Sequence, residues 1–141
     1  MELEYPAEPR VISEIRRKFE AFVAPLGLPV EFLDDVKMAI SEVCGNAICH
    51  GSPQGSAARL RVRSALGEGQ LMVEVADEGP GFLPDKVTLP DEEWRTSGRG
   101  VFLMYTLMDN VSFEALPTGT RVRLTKKLPT HLPSAQVGRA E

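Results

Sequence analysis

The chain predicts a two-layer α/β sandwich: a mixed, mostly antiparallel sheet with helices on one face. Three observations carry this. Residues 9–27 and 29–51 repeat apolar side chains every three or four positions, as amphipathic helices do. Residues 58–75 and 111–126 each alternate apolar with polar side chains about a glycine-bearing turn, as hairpins with one wet face do. A third helical pattern lies between the hairpins, so the order is strand, two helices, hairpin, long loop, helix, hairpin.

Leu3 to Tyr5 reads as a short edge strand ended by Pro6. In the first helix Val11, Ile12, Ile15, Phe19, Phe22 and Val23 form the core stripe, while Arg16, Arg17, Lys18 and Glu20 face water. Gly27 stops it, and Pro25 makes its last turn irregular. The second helix begins near Pro29, with Glu31, Asp34 and Asp35 loading its positive end with negative charge. Its buried stripe is Leu33, Val36, Ile40, Val43 and Ala47, and it stops at Gly51 before Ser52-Pro53.

The first hairpin sets Leu60, Val62 and Ser64 against Arg59, Arg61 and Arg63, turns at Gly67-Glu68-Gly69, and returns through Leu71, Val73 and Val75. Phe82 to Ser97 has no convincing periodicity and carries Pro84, Pro90 and Asp91-Glu92-Glu93, the marks of a functional lid or a mobile segment. The third helix begins near Gly100, with Val101, Met104, Leu107 and Met108 on its apolar face. Val111–Ala115 and Thr120–Lys126 close the chain as a hairpin through Pro117-Thr118-Gly119. A tail at 129–141, rich in Pro, Ser, Ala and Gly, has little to bury and is expected to be disordered, leaving one domain at 1–128.

Composition narrows the function classes. A length of 141 residues suits one core, and 43% hydrophobic with 26% charged residues is ordinary for a soluble domain. A net charge of −4 argues against nucleic acid as a partner, and the alternating Arg59, Arg61 and Arg63 read as a solvated strand face. No apolar run is long enough to span a membrane, and the first residues lack the regions of a signal peptide, so a cytoplasmic protein is expected. Cys44 and Cys49 stand five apart, about 140° round a helix, and read as reduced thiols rather than a bridge or metal site.

Four polar constellations carry chemistry. Glu42, Asn46 and His50, at steps of four, form one ridge of the second helix. Gly45 between them is a poor helix-interior residue, which suggests that something needs close access there. Asp77-Glu78-Gly79-Pro80-Gly81 ends a strand with an acid and two glycines that permit close backbone approach. Ser97-Gly98-Arg99-Gly100 opens a helix, where free N–H groups favour an anion. Gly119-Thr120 closes the last turn. Each has a bland alternative: a wet helix face, a glycine turn, a capped helix, a hairpin. Neither a full dinucleotide fingerprint nor a Walker A motif is present. The order and spacing of the four together point to a nucleotide site.

In that order and spacing the chain resembles the GHKL ATPase superfamily, the Bergerat ATP-binding fold shared by gyrase, histidine kinases and mismatch-repair ATPases. Within it, this compact form is similar to the anti-sigma factor serine kinases of bacterial partner-switching systems, over roughly Leu3 to Leu128. Ser41 to Gly51 matches the N-box, Asp77 to Phe82 and Ser97 to Gly100 the glycine boxes, and Gly119-Thr120 the final strand's motif. The resemblance implies ATP and Mg²⁺ as cofactors. It implies Asn46 as the Mg²⁺ ligand, Glu42 as the general base, Asp77 as acceptor of the adenine amino group, and Thr120 as its support through water. Gly79 and Gly81 would let the lid's root pass close to the nucleotide, Gly98 and Gly100 would offer N–H groups to the phosphates, and Arg95 or Arg99 would meet the γ-phosphate.

The implied function is an ATP-dependent serine/threonine kinase that phosphorylates a small STAS-like antagonist and sequesters a sigma factor. A nucleotide-gated interaction module without turnover is the alternative. The catalytic module of a sensor histidine kinase fits less well, because the chain is too short for a phosphoacceptor helix pair. The resemblance also implies a homodimer, with the first strand and helix, and exposed Tyr5, Arg16 and Arg17, as the surface to test.

Overall fold

The computed structural model describes residues 1–48, 59–78 and 98–129, with the backbone alone for 98–102. Helix α1 (Val11–Val23) buries Val11, Ile15, Phe19 and Val23, a stripe at steps of four, with Ile12 and Phe22 at its edges. Pro25 tightens the next turn into a 3₁₀ segment (Ala24–Leu26), and Gly27 ends it with a left-handed φ of 63°. Helix α2 (Val30–Asn46) starts directly after Pro29, whose carbonyl accepts the Leu33 N–H at 3.0 Å.

On α2 the buried stripe is Val36, Ile40, Val43 and Ala47, joined by Phe32, Ala39 and Cys44; Leu33 is only partly buried. Phe32, four residues before Val36 on this stripe, is buried in place of the expected Leu33, and its ring lies beneath the Lys126 ammonium, 5.4 Å from Nζ to ring centre. Beyond Asn46 the helix widens to a π-helical turn at 47–48. The expected stop at Gly51 lies outside the described residues, as do Cys49, His50, the lid and the tail from residue 130.

Five strands form one sheet in the order β1-β2-β3-β5-β4: β1 (Glu2–Pro6), β2 (Arg59–Gly67), β3 (Gln70–Asp77), β4 (Asn110–Ala115) and β5 (Thr120–Lys127). Every described pairing is antiparallel, with Leu3 opposite Val62, Val62 opposite Val75 and Val75 opposite Val122. Glu68 (φ 54°) and Gly69 (φ 77°) make the two-residue turn whose backbone twist matches the strands it joins. Helix α3 (Gly98–Leu107) begins two residues before the expected Gly100 and buries Met104. Its carboxyl end is held by Lys126 Nζ, which donates to the Leu107 carbonyl at 2.6 Å, a favourable place for a cation.

All three helices cover the face bearing Leu60, Val62, Leu71, Val73, Val75 and Leu124. The other face is polar but not simply solvated. Glu74, 8% exposed, receives Arg63 from β2 at 3.0 Å and Arg123 Nε from β5 at 2.7 Å. Burial alone would raise its carboxyl, but the hydrogen bonds and charges of Arg123 and Arg63 outweigh it and hold Glu74 below its ordinary value of 4.5. A depressed folded pKa means the unfolded chain binds the proton more readily, so this stabilisation is present above 4.5 and fades as pH falls through the folded value. Glu74→Gln is therefore expected to flatten the loss of stability below that pH, measured by urea unfolding at a series of acidic pH values. An unchanged acid limb in the variant would refute the assignment.

Ser64 is buried at 2% exposure on the helix-facing side of β2, and its hydroxyl has no hydrogen-bond partner among the described residues. An unpaired buried hydroxyl costs about 1–3 kcal/mol. Ser64→Ala is expected to raise unfolding stability by about 1 kcal/mol, read from the urea midpoint at unchanged slope. A fall in midpoint would mean the hydroxyl is satisfied after all. Two residues expected to be exposed are not: Tyr5 is partly buried and donates its hydroxyl to Glu14 at 3.0 Å, and Arg16 reaches Ser41 on α2. Both are drawn inward because β1 and α2 flank α1. Arg17 does lie in solvent, 70% exposed.

Candidate functional site

The carboxyl end of β3, the start of β5 and the last turn of α2 meet at one corner of the sandwich. The β3–β5 register, which sets Ala76 opposite Arg121, brings Asp77 and Thr120 to the same end. Asp77 lies across from buried Leu60, so its side chain belongs to the helix-facing layer. It is 4% exposed and Thr120 2%. These two and Asn46 line a single narrow pocket whose apolar walls are Val43 and Ala47 of α2, Met104 of α3, and Phe113 and Val122 of the final hairpin. The pocket unites three of the sequence-derived site residues, drawn from three separate elements.

Asn46 brings an unsatisfied polar group to the pocket lining. Its amide nitrogen is buried without a hydrogen-bond partner among the described residues. Rotation of the amide exchanges nitrogen and oxygen, so the side chain can present either a donor or an acceptor to whatever enters. Among the described residues no three acidic, histidine or cysteine side chains cluster as a metal site. One amide suits Mg²⁺ nonetheless, because this ion keeps waters and takes substrate phosphates as ligands, using few protein groups.

Glu42 stands one turn before Asn46 on α2, half-buried, outside the pocket lining and with no partner among the described residues. A Cβ at Gly45 would meet nothing within 4 Å, so no described neighbour demands that glycine. Cys44 is fully buried, and desolvation pushes its thiol up to about 12. It stays protonated at neutral pH and is no nucleophile.

Gly98, Arg99 and Gly100 form the first turn of α3, where backbone N–H groups lack helical acceptors. Gly79, Gly81 and Arg95 lie outside the described residues. The pocket and the chain around it also hold features that local sequence reading passed over. Phe113 was only an alternating strand residue, although Val111 and Phe113 share a face by the period of two. Glu78, beside Asp77, accepts the Arg59 N–H at 2.9 Å and so ties the segment after β3 to β2. Gly119 stands directly against the Asp77 main chain, where a Cβ would collide with the carbonyl oxygen.

Known proteins resemble this chain in sequence and fold. The family described as histidine kinase-like ATPase domain matches residues 5–126. Serine-protein kinase RsbW of Bacillus subtilis (strain 168) is 31% identical over 137 residues, covering 91% of this chain and 85% of its own. The anti-sigma F factor of Clostridium acetobutylicum is 33% identical over 135 residues, covering 90% and 92%. Among solved structures, the RsbU and RsbW domains of a Mycobacterium tuberculosis protein superpose with a TM-score of 0.66 at 20% identity, over 91% of this chain. The chain spans 32% of that longer structure, a likeness of fold alone. With that match over residues 5–126 and relatives aligned over nine-tenths of its length, the chain belongs to the histidine kinase-like ATPase domain family.

Proposed function

We propose that the protein is an ATP-dependent serine kinase that phosphorylates a small antagonist protein and, as a homodimer, sequesters a sigma factor. The convergence of Asn46, Asp77 and Thr120 on one pocket carries this reading. The names of its relatives, a serine-protein kinase and an anti-sigma factor, support the choice of substrate and partner.

Each group has a role its surroundings permit. The Asp77 carboxylate accepts the adenine amino group, with the Thr120 hydroxyl beside it. Val43, Ala47, Met104, Phe113 and Val122 supply the apolar side chains against which the base would rest. The Asn46 amide would hold Mg²⁺, which would supply positive charge against the phosphates. The N–H groups at Gly98 and Gly100 face the phosphates from the helix start. Gly79 and Gly81 give the segment after β3 a bare backbone near the nucleotide, and Arg95 or Arg99 meets the γ-phosphate. Glu42 takes the proton of the substrate serine as its oxygen bonds the γ-phosphorus, the bond from that phosphorus to the bridging oxygen breaks, and ADP leaves. Phosphoryl transfer needs positioning and charge neutralisation above all, and this set supplies both.

The test is to incubate the protein with γ-labelled ATP, MgCl₂ and small antagonist proteins encoded in the same genome. Acid-stable label on a serine of one antagonist is the expected result. ATP binding without transfer to any of them would favour a nucleotide-gated interaction module. Absence of ATP binding would sink the reading entirely.

A further inference from the structure

Helices α1 and α2 are joined by two polar rungs. Lys37 Nζ donates to Glu20 at 2.9 Å, and Arg16 Nη1 donates to Ser41 Oγ at 3.1 Å. Stepping four residues back on α1 and four forward on α2 moves from one rung to the next, so the helices run antiparallel. The rungs differ in kind. The Glu20–Lys37 pair is half-exposed on the Glu20 side and contributes little. The Arg16–Ser41 contact is partly buried, and the same hydroxyl donates to the Lys37 carbonyl at 3.0 Å. With its one hydrogen given to Lys37 and its oxygen accepting from Arg16, the Ser41 side chain is held in one rotamer.

Ser41 directly precedes Glu42. We propose that Arg16 and Ser41 form an interhelical latch that positions Glu42 for proton abstraction, an inference resting on the assignment of Glu42 as the base. A serine bonded to the carbonyl four residues back ties its side chain to its own helix turn. A guanidinium drawing on the same hydroxyl ties that turn to α1. Glu42 sits between this tie and the π-helical turn at 47–48, and no described residue hydrogen-bonds its carboxylate. Its aim is therefore set by the backbone turn that carries it. A misplacement of about 1 Å at a reacting group can lower a rate about 100-fold, so a small rotation of this turn matters. Packing alone does not supply the setting: Val36, Ala39, Ile40, Val43 and Cys44 lock the buried side of α2, whereas Ser41 lies towards its partly exposed flank.

The test uses the full chain with γ-labelled ATP and MgCl₂ alone, following phosphate release to water, so that docking of a protein substrate plays no part. Arg16→Met and Ser41→Ala are each expected to lower kcat about tenfold, with ATP affinity and unfolding midpoint at wild-type values. The double variant should fall no further than either single one, because both remove the same contact. Ser41→Thr, which keeps the hydroxyl, should retain most of the rate. An undiminished kcat in Ser41→Ala, or additive losses in the double variant, would overturn the latch. Glu42→Ala run in parallel separates the failures. If it hydrolyses ATP normally, the base assignment falls and the latch with it; if it is inactive while the latch variants are not, only the latch falls.

Discussion

Glu42→Ala is expected to lower phosphoryl transfer by about 100- to 10,000-fold while leaving ATP binding intact, the range over which positioned general bases act. The expectation follows from where the side chain lies. Glu42 is half-buried and outside the pocket formed by Asn46, Asp77 and Thr120, so its removal leaves that lining in place. Asn46→Ala should do the reverse: it removes a buried amide of the pocket lining whose nitrogen has no partner among the described residues, and Mg²⁺-dependent ATP affinity should fall at least tenfold. Calorimetric titration with ATP, with and without MgCl₂, together with the transfer assay, separates the two. Equal loss of binding in both variants would mean that α2 presents a single structural unit, with no division between base and metal ligand.

Much of the layer that builds the site is legible from periodicity. Val36, Ile40 and Val43 are buried where steps of three and four place them, and Leu60, Val62 and Ser64 face inward by the period of two. Exceptions arise where a distant residue decides. Phe32 is buried in place of the expected Leu33, and Lys126, more than ninety residues later, lies over its ring. Glu74 reads as one more charge on a wet face, yet arginines from both neighbouring strands enclose it, and only the strand order β2-β3-β5 reveals them. The site follows the same rule. Asn46, Asp77 and Thr120 were each recognisable as parts of motifs, but that they share one pocket depends on β5 inserting beside β3 rather than pairing with β4 alone. Local propensity carries no record of that insertion.

Gly119 shows most clearly what a turn glycine conceals, and three glycine-to-alanine changes separate its two roles. A Cβ at Gly67 meets nothing within 4 Å, and its φ is not positive, so Gly67→Ala should be close to neutral. Gly69 has a φ of 77° with open space around it, so Gly69→Ala should pay only backbone strain, about 1–2 kcal/mol. Gly119 has a φ of 98° and also faces the Asp77 main chain: a Cβ would strike the carbonyl oxygen, with the carbonyl carbon at 2.6 Å and Oδ1 at 3.0 Å. The obstacle is backbone of a central strand, which has no rotamer to yield. Either the β4–β5 turn withdraws or the end of β3 shifts. In both cases Asp77 and Thr120 part, although both line the same pocket. Gly119→Ala is thus expected to cost about 3 kcal/mol or more, from strain and overpacking together. It should also lower ATP affinity at least tenfold in protein that remains folded. Urea unfolding of the three variants isolates the collision as the excess of Gly119→Ala over Gly69→Ala. If that excess is absent and ATP binds as before, Gly119 is a hairpin glycine like Gly69, and the contact with Asp77 does not help to hold the nucleotide pocket.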